Sequence, residues 1–160
     1  PKLASGIDQL TIAIWINVDH MPSSEKFVSI YHNNGWTVGD VHLGYAGQEG
    51  VLDLGINGNM PSMSVPTFRV KDLQKRWVHL ATTYNGDNKK EVRFYLDGQL
   101  GEVFKLEEAN PVNLGPARIG AWDVEARWFD GQIDELYIYA RVLTGDEIRV
   151  LFEVGSKKPR

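Results

Sequence analysis

Hydrophobic and polar residues alternate with a period of two along much of the chain. The clearest segment is 10–18, in which one face carries Leu10, Ile12, Ile14, Ile16 and Val18. The other face carries Thr11, Ala13, Trp15 and Asn17. Successive side chains of a β-strand point to opposite sides, so this pattern predicts an antiparallel strand that is buried on one face. Similar alternation in 78–84 and 92–96 predicts two further strands.

Turn signals separate the predicted strands at short intervals. Two hairpins are predicted, one that joins 27–31 to 36–38 through 32–35 and one that joins 41–45 to 51–56 through 47–50. Asn57-Gly58 suits a type I′ turn, because both residues tolerate positive φ. Asp130-Gly131 precedes a strand at 133–139, which is rich in β-branched and aromatic residues. Many short strands with frequent turns are typical of a sandwich or jelly roll.

One short helix is predicted near the end of the chain. Thr144, followed three residues later by Glu147, forms a capping box, which marks a helix N-terminus. The apolar residues that follow at the spacing of one helix face are Ile148, Leu151 and Phe152. We therefore expect helix only around 145–153, with 155–160 as a polar linker or tail.

Composition excludes several classes of function. The chain has 160 residues, 42% of them hydrophobic, which suits one domain with a sizeable core. Its net charge of −4 argues against nucleic acid or an anionic membrane as a partner. No run approaches the roughly 18 apolar residues of a membrane-spanning helix, so membrane insertion is not expected. The absence of cysteine excludes disulfides, thiolate metal sites and a cysteine nucleophile.

Five segments follow one another along the chain in the order of a known family. They are 10–18, 77–86, 92–98, 118–120 and 129–152. Together they resemble the bacterial type of laminin-G-like domain, within the concanavalin A-like lectin/glucanase superfamily. The resemblance implies an all-β fold over residues 1–154, an antiparallel two-sheet jelly-roll sandwich with one short C-terminal helical turn. Its expected core includes Ile12, Ile14, Leu80, Phe94, Leu96 and Ile119.

The start of the chain differs from the family pattern. Family members usually open with an extra strand before the segment that 10–18 resembles, whereas only nine residues precede Leu10 here. We therefore expect the domain to lack its first strand and to be a fragment of a longer protein. A site that uses that strand is then expected to be incomplete.

Asp134 is the candidate metal ligand. In a regular strand it shares a face with Leu136 and Ile138, so it is expected at the edge of the core. A buried carboxylate is costly unless it is paired, hydrogen-bonded or bound to a metal, and the family resemblance implies a structural calcium nearby. The alternative is an aspartate satisfied by loop N–H groups, Arg127 or Arg141. One carboxylate falls short of the roughly six or more oxygens that calcium takes.

The segment 121–130 predicts a carbohydrate-binding loop around Trp122. Sugar C–H groups stack on aromatic faces, and nearby polar groups take the hydroxyls. The polar groups here are those of Asp123, Glu125 and Arg127. For Trp122 itself a packing role stays open, and Trp128 with Phe129 is expected to staple the loop to the sandwich.

A second candidate site is the predicted turn that contains His32, Asn33 and Asn34. Asparagine amides offer donors and an acceptor to sugar hydroxyls. However, Asn-Gly is equally what a tight turn requires, so the structural interpretation is favoured, and Trp36 beside it is open to a core role. Trp15 and Trp77 lie in predicted strands and are expected to pack in the core, with His79 partly buried beside them.

The sequence favours a binding module over an enzyme. Glycoside hydrolysis needs two carboxylates at a fixed separation, which enzymes that resemble this fold place at alternate positions of one strand. Glu107 and Glu108 are adjacent and would face opposite ways, while Asp123 and Glu125 lie in a predicted loop without a third carboxylate. No serine-hydrolase elbow, zinc-binding helix motif or phosphate loop occurs.

The leading hypothesis is a non-catalytic carbohydrate-binding or adhesion module of a larger secreted or envelope protein. Its ligand would be a glycan or a cell-surface protein, and its location extracellular, periplasmic or at the cell surface. The alternative is a protein-interaction or spacer domain without a glycan site, and a third hypothesis is a degenerate glycosidase domain. Exposure of Trp122 and its polar neighbours would favour the first over the second.

Overall fold

Two antiparallel sheets form the protein. The computed structural model describes residues 6–22, 28–33, 37–46, 50–56, 59–122 and 127–159. Within these residues the strands are β1 (Gln9–Val18), β2 (Val28–Asn33), β3 (Val41–Ala46), β4 (Val51–Ile56), β5 (Asn59–Arg69), β6 (Val78–Asn85), β7 (Glu91–Leu96), β8 (Gln99–Lys105), β9 (Ala117–Ile119) and β10 (Gly131–Tyr139). A 3₁₀ turn at Val70–Leu73 and the helix α1 (Gly145–Gly155) complete the described elements.

The strand order is that of a two-layer sandwich. The first sheet has the order β10-β1-β6-β7-β8, and the second has the order β5-β4-β3-β2-β9. Neighbouring strands pair antiparallel in both sheets. The predicted all-β jelly-roll sandwich with a C-terminal helix is confirmed.

The core lies between the two sheets. The predicted core residues Ile12, Ile14, Leu80 and Phe94 are all buried. Leu96 packs against this core from its margin. The prediction for Ile119 is wrong, because it lies on the edge strand β9 and is 55% exposed.

The strand β1 is buried on both faces, not on one as its alternation predicted. Its second face carries Ala13, which packs in a separate cluster with Ile148 of α1. Thr11 is also buried there, and its hydroxyl donates to the carbonyl of Arg141 at 2.7 Å and accepts the N–H of Leu143 at 2.9 Å. The helix thus covers the outer face of the first sheet, and the local polarity of Thr11 is satisfied by the chain that leads into it.

The helix begins where the sequence predicted. Thr144 Oγ1 accepts the N–H of Glu147 at 3.2 Å, and a Glu147 carboxylate oxygen accepts the N–H of Thr144 at 2.8 Å. The helix ends later than expected, at Gly155, which is buried against the Trp15 indole and therefore does not belong to a loose tail. Within the described residues, no helix has the length and apolar character needed to cross a membrane.

The first predicted hairpin is wrong in its pairing. His32 and Asn33 lie inside β2, not in a turn, and β2 pairs with β3 instead of with 36–38. The chain turns at 37–40, where an Asp40 carboxylate oxygen accepts the N–H of Thr37 at 2.7 Å. The other predicted hairpin, between β3 and β4, is confirmed.

The register between β1 and β10 can be tested at Gly131, which pairs with Val18 where β1 ends and β10 begins. A Cβ at this position would overlap the carbonyl oxygen of Asn17. We expect Gly131→Ala to lower the free energy of unfolding by roughly 2–3 kcal/mol, since one strand must shift. Urea denaturation measures this change. Gly145→Ala is the control, because a Cβ there meets only Tyr95, at 3.9 Å, and an equal loss in both variants would contradict the packing argument.

Candidate functional site

The outer face of the second sheet carries a group of polar and aromatic side chains. In β3, Val41, Leu43 and Tyr45 face the core, so His42 and Gly44 face outward. In β2, His32 pairs with His42 across the strands and faces the same way.

Two rows cross this outer face from strand to strand. The first runs through Arg118 of β9, His32 of β2, His42 of β3 and Gly55 of β4. The second runs through Ser29, Gly44 and Asp53. Glycine has no side chain, so the sheet surface forms depressions at Gly44 and Gly55, next to the larger histidine side chains.

Trp122 lies directly over the two histidines. Its ring stacks on His32 with 3.9 Å between centroids and an interplanar angle of 15°, and on His42 at 5.3 Å. The Nδ1 atoms of the two histidines are in hydrogen-bond contact, so one ring donates and the other accepts. The guanidinium carbon of Arg127 lies 4.2 Å from the Trp122 ring centroid, a cation–π contact. We call these four residues the stacked cluster.

The stacked cluster unites two predicted sites that are 90 residues apart in the chain, around His32 and around Trp122. Sequence reasoning had no means of joining them, because their contact depends on β9 pairing with β2. Trp122 is half-buried against the histidines, so part of its role is packing, as one of the two interpretations held.

Backbone hydrogen bonds hold both ends of the loop that carries Trp122. Gly120 N–H donates to the carbonyl of Ile30 at 2.9 Å, and Phe129 N–H donates to the carbonyl of Gly120 at 2.9 Å. Ser29 N–H donates to the carbonyl of Arg127 at 3.2 Å. Phe129 packs edge-on against buried Tyr45, with 6.4 Å between ring centroids. The loop ends are therefore fixed beside β2 before any ligand binds.

The other predicted site residues are placed as follows. Asn33 is buried, and its amide donates to the carbonyl of Asn113 at 3.2 Å while accepting the N–H of Val41 at 3.2 Å. It therefore joins the end of β2 to the start of β3 and to the segment around Asn113, and a role for Asn33 in ligand binding stays a prediction. Of the two residues expected to staple the loop, Phe129 packs against the core, whereas Trp128 is 61% exposed. Residues Asn34, Trp36, Asp123 and Glu125 lie outside the described residues.

Burial keeps His32 neutral near pH 7. Its removal from water, with His42 and Arg118 nearby, lowers the pKa of His32 from 6.5 to about 4. The Asp40 carboxylate opposes this shift, and Arg127 adds to it. A neutral imidazole has one donor nitrogen and one acceptor nitrogen, so His32 contributes polar atoms without a charge.

Sequence reasoning missed three members of this face: His42, Arg118 and Asp53. His42 lies in a segment that was predicted as a strand with Val41 and Leu43 as its apolar positions. His42 lies between Val41 and Leu43, ten residues after His32. A hairpin predicted with β2 paired to β3 would have placed the two imidazoles side by side. Arg118 gave no such signal, because its cross-strand partner is distant in sequence.

Comparison with known proteins identifies the family. The sequence model of the concanavalin A-like lectin/glucanases superfamily matches residues 2–149. The chain belongs to this superfamily. No curated protein sequence matches it closely enough to count as a relative.

Solved structures of several other proteins share the fold of this chain at low sequence identity. The CBM40 of the Ruminococcus gnavus IT-sialidase, bound to α2,3-sialyllactose, has a TM-score of 0.64 at 17% identity, over 92% of this chain and 84% of that one. Botulinum neurotoxin type C, whose cell entry depends on two ganglioside molecules, has a TM-score of 0.67 at 18% identity, over 94% and 36%. The SAP-like pentraxin of Limulus polyphemus has 0.65 at 15%, over 99% and 76%.

Asp134 does not lie at the edge of the core, where the sequence analysis predicted it. In the pairing of β1 with β10, the register shifts between Ala13 and Trp15, so that β10 has one extra residue at a bulge. The bulge reverses the phase, which leaves Leu136 against the core and Asp134 exposed. Its carboxylate accepts the N–H of Glu135 at 2.8 Å. The premise of a buried carboxylate is therefore wrong.

The part of the chain that the structure describes contains no group of three or more histidine, aspartate or glutamate side chains placed to hold a metal. Calcium takes about six to eight oxygens, and among the described residues Asp134 does not belong to a group of three or more such side chains that could supply them. Calcium binding by this domain therefore stays a prediction for experiment.

Calcium addition tests Asp134 directly. We expect no rise in melting temperature that depends on Asp134, because its carboxylate is exposed and accepts a backbone N–H. For the same reason Asp134→Asn should cost less than about 1 kcal/mol. Differential scanning calorimetry with calcium, and with magnesium as the control, measures both. A rise with calcium that Asp134→Asn abolishes would instead establish a metal site there.

Acid should destabilise the domain through His32. Its folded pKa of about 4 lies below the unfolded value of 6.5, so between these values the unfolded chain binds a proton that the folded chain does not. Its contribution is complete above pH 6.5 and is lost as the pH falls towards 4. At pH 5 the loss should be about 1–2 kcal/mol relative to pH 8.

The measurement is the unfolding free energy of the wild type and of His32→Gln at both pH values. The variant should lose much of the pH dependence. His20→Gln is the matched control, because His20 is exposed. A pH dependence that His32→Gln leaves intact would show that other groups cause it.

Proposed function

We propose that the chain is a non-catalytic carbohydrate-binding module whose ligand site is the outer face of the second sheet. The observation that carries the proposal is the stacked cluster, in which Trp122 lies on His32 and next to Arg127. It places an aromatic surface beside charged and neutral hydrogen-bonding groups on a face that is not part of the core.

The chemistry of this face suits a sugar. Sugar hydroxyls both donate and accept hydrogen bonds, and the face offers guanidinium donors at Arg118 and Arg127 and a carboxylate acceptor at Asp53. The C–H faces of a pyranose ring pack on aromatic groups. Trp122 is such a group within the stacked cluster, and the exposed Trp128 directly follows Arg127 in the sequence. The sialyllactose bound by the sialidase CBM40 and the gangliosides used by the neurotoxin support a glycan as the ligand class.

A binding role fits the carboxylates better than catalysis does. The five strands of the second sheet contain one carboxylate residue, Asp53. Hydrolysis of a glycosidic bond needs two that act together, about 5–9.5 Å apart. The module would therefore hold a glycan for another domain or surface, as part of a larger secreted or envelope protein outside the cytoplasm. The chain covers 36% of the length of the neurotoxin chain but 84% of the length of the CBM40 chain, which accords with a module.

A glycan array followed by calorimetric titration tests this function. We expect dissociation constants in the micromolar to millimolar range, or roughly 4–8 kcal/mol, because the site offers one aromatic stack and a few exposed hydrogen bonds. Arg127→Ala and Trp122→Ala should each abolish measurable binding of the glycans that contact the stacked cluster. Arg127→Ala should leave the melting curve nearly unchanged, since Arg127 is exposed, whereas Trp122→Ala should lower stability moderately because Trp122 packs on His32.

Tyr137→Ala is the matched control, since Tyr137 is a 38% exposed aromatic residue on the first sheet. It should bind as the wild type does. Normal binding by Arg127→Ala and Trp122→Ala would remove the stacked cluster as the site. Absence of any glycan binding at millimolar concentration would leave the protein-interaction or spacer role.

A further inference from the structure

A pocket separate from the stacked cluster lies on the opposite side of the sandwich, on the outer face of the first sheet. Its volume is about 390 Å³, within the ~300–1,000 Å³ of typical small-molecule sites. It is lined by Trp15, Arg76, Trp77, Asp97, Phe152, Ser156 and Lys158. None of these residues belongs to the stacked cluster.

Three aromatic side chains form the apolar part of this pocket. Trp15 of β1 is buried and stacks on Phe152 of α1, with 5.7 Å between centroids and an interplanar angle of 21°. Trp77, at the start of β6, is only partly buried and belongs to neither hydrophobic cluster. The expectation that both tryptophans are core residues therefore holds for Trp15 and not for Trp77, whose indole is a wall of the pocket.

An ion pair forms the polar part. Arg76 donates to an Asp97 carboxylate oxygen at 3.0 Å, and the other oxygen accepts the N–H of His79 at 2.9 Å. The Asp97 carboxylate is thus fixed by the backbone, while the Arg76 side chain is 47% exposed. Lys158, on the segment after α1, pairs with Glu135 at the side of the pocket.

We propose that this pocket is a second saccharide site, which takes a neutral pyranose unit with two adjacent hydroxyls. The sugar ring would pack on Trp77, and the hydroxyls would meet Arg76 as a donor and Asp97 as an acceptor. A hydroxyl group satisfies either partner, so two neighbouring hydroxyls match a guanidinium and a carboxylate that lie side by side.

The paired charges favour a neutral ligand over a charged one. Arg76 is paired with Asp97, and Lys158 with Glu135, so each charge is already balanced, and a charged ligand group would be repelled by one member of each pair. A hydroxyl instead adds to the unused hydrogen-bonding positions of both partners. The pocket therefore selects for a polyol with an apolar face.

This proposal does not depend on the stacked cluster, because the two sites lie on opposite sheets. Because the two sites face in opposite directions, a single flat ligand surface could not contact both of them. A module that holds both would bridge two glycan chains or two regions of one chain, which raises its avidity for a branched or polymeric glycan.

The test uses the tryptophan indole N–H signals in proton–nitrogen NMR spectra, assigned with single Trp→Phe variants. Neutral glucose, galactose and mannose oligosaccharides are titrated in parallel with their carboxylated counterparts. We expect at least one neutral ligand to shift the Trp77 signal. Arg76→Ala and Trp77→Ala should each weaken that ligand by about tenfold or more, while Trp122→Phe leaves it unchanged.

Arg149→Ala is the control, because Arg149 is an exposed arginine of α1 that does not line the pocket. If Trp77→Ala does not fold, Arg76→Ala decides the question, since its side chain is at the surface. Unchanged affinity in Arg76→Ala, a Trp77 signal that no neutral sugar shifts, or a preference for the carboxylated sugars would overturn the proposal. Loss of binding only in stacked-cluster variants would leave the first site alone.

Discussion

The rest of the structure depends on the burial of β1 on both of its faces. Ile12 and Ile14 pack into the core between the sheets, while Ala13 and Trp15 pack beneath α1. The strand also pairs with β6 on one side and with β10 on the other. A slip by one residue would exchange these two sets of side chains, so the packing specifies a single register for the first sheet.

The enclosure of β1 determines where a ligand can bind. Because the inner faces of both sheets are filled, only outer faces, edges and loops remain accessible. The helix covers part of the first sheet, and the loop after β9 covers part of the second. Each candidate site lies at the margin of such a cover, where Trp77 and Trp122 are packed on one side and partly exposed on the other. Packing thus holds the aromatic groups in place before binding.

The charges differ between the two candidate sites. At the stacked cluster, burial keeps His32 neutral while the exposed Arg127 adds a positive charge, and at the pocket beside Trp77 the charge of Arg76 is paired with that of Asp97. Hydrogen bonds to exposed groups of this kind are individually weak, since water competes for them. Affinity would therefore come from aromatic contact and from the number of sites engaged.

The sequence by itself determined the all-β class, the positions of most strands and the helix start at Thr144, because these follow from local alternation, turn residues and capping. It also marked Trp122 and His32 as candidates. Only the tertiary structure decided that these two residues meet, that Asp134 faces solvent and that Trp77 lines a pocket. Each of these depends on a bulge, a cross-strand register or the packing of α1. Such features arise from contacts between distant segments, which local side-chain periodicity does not encode.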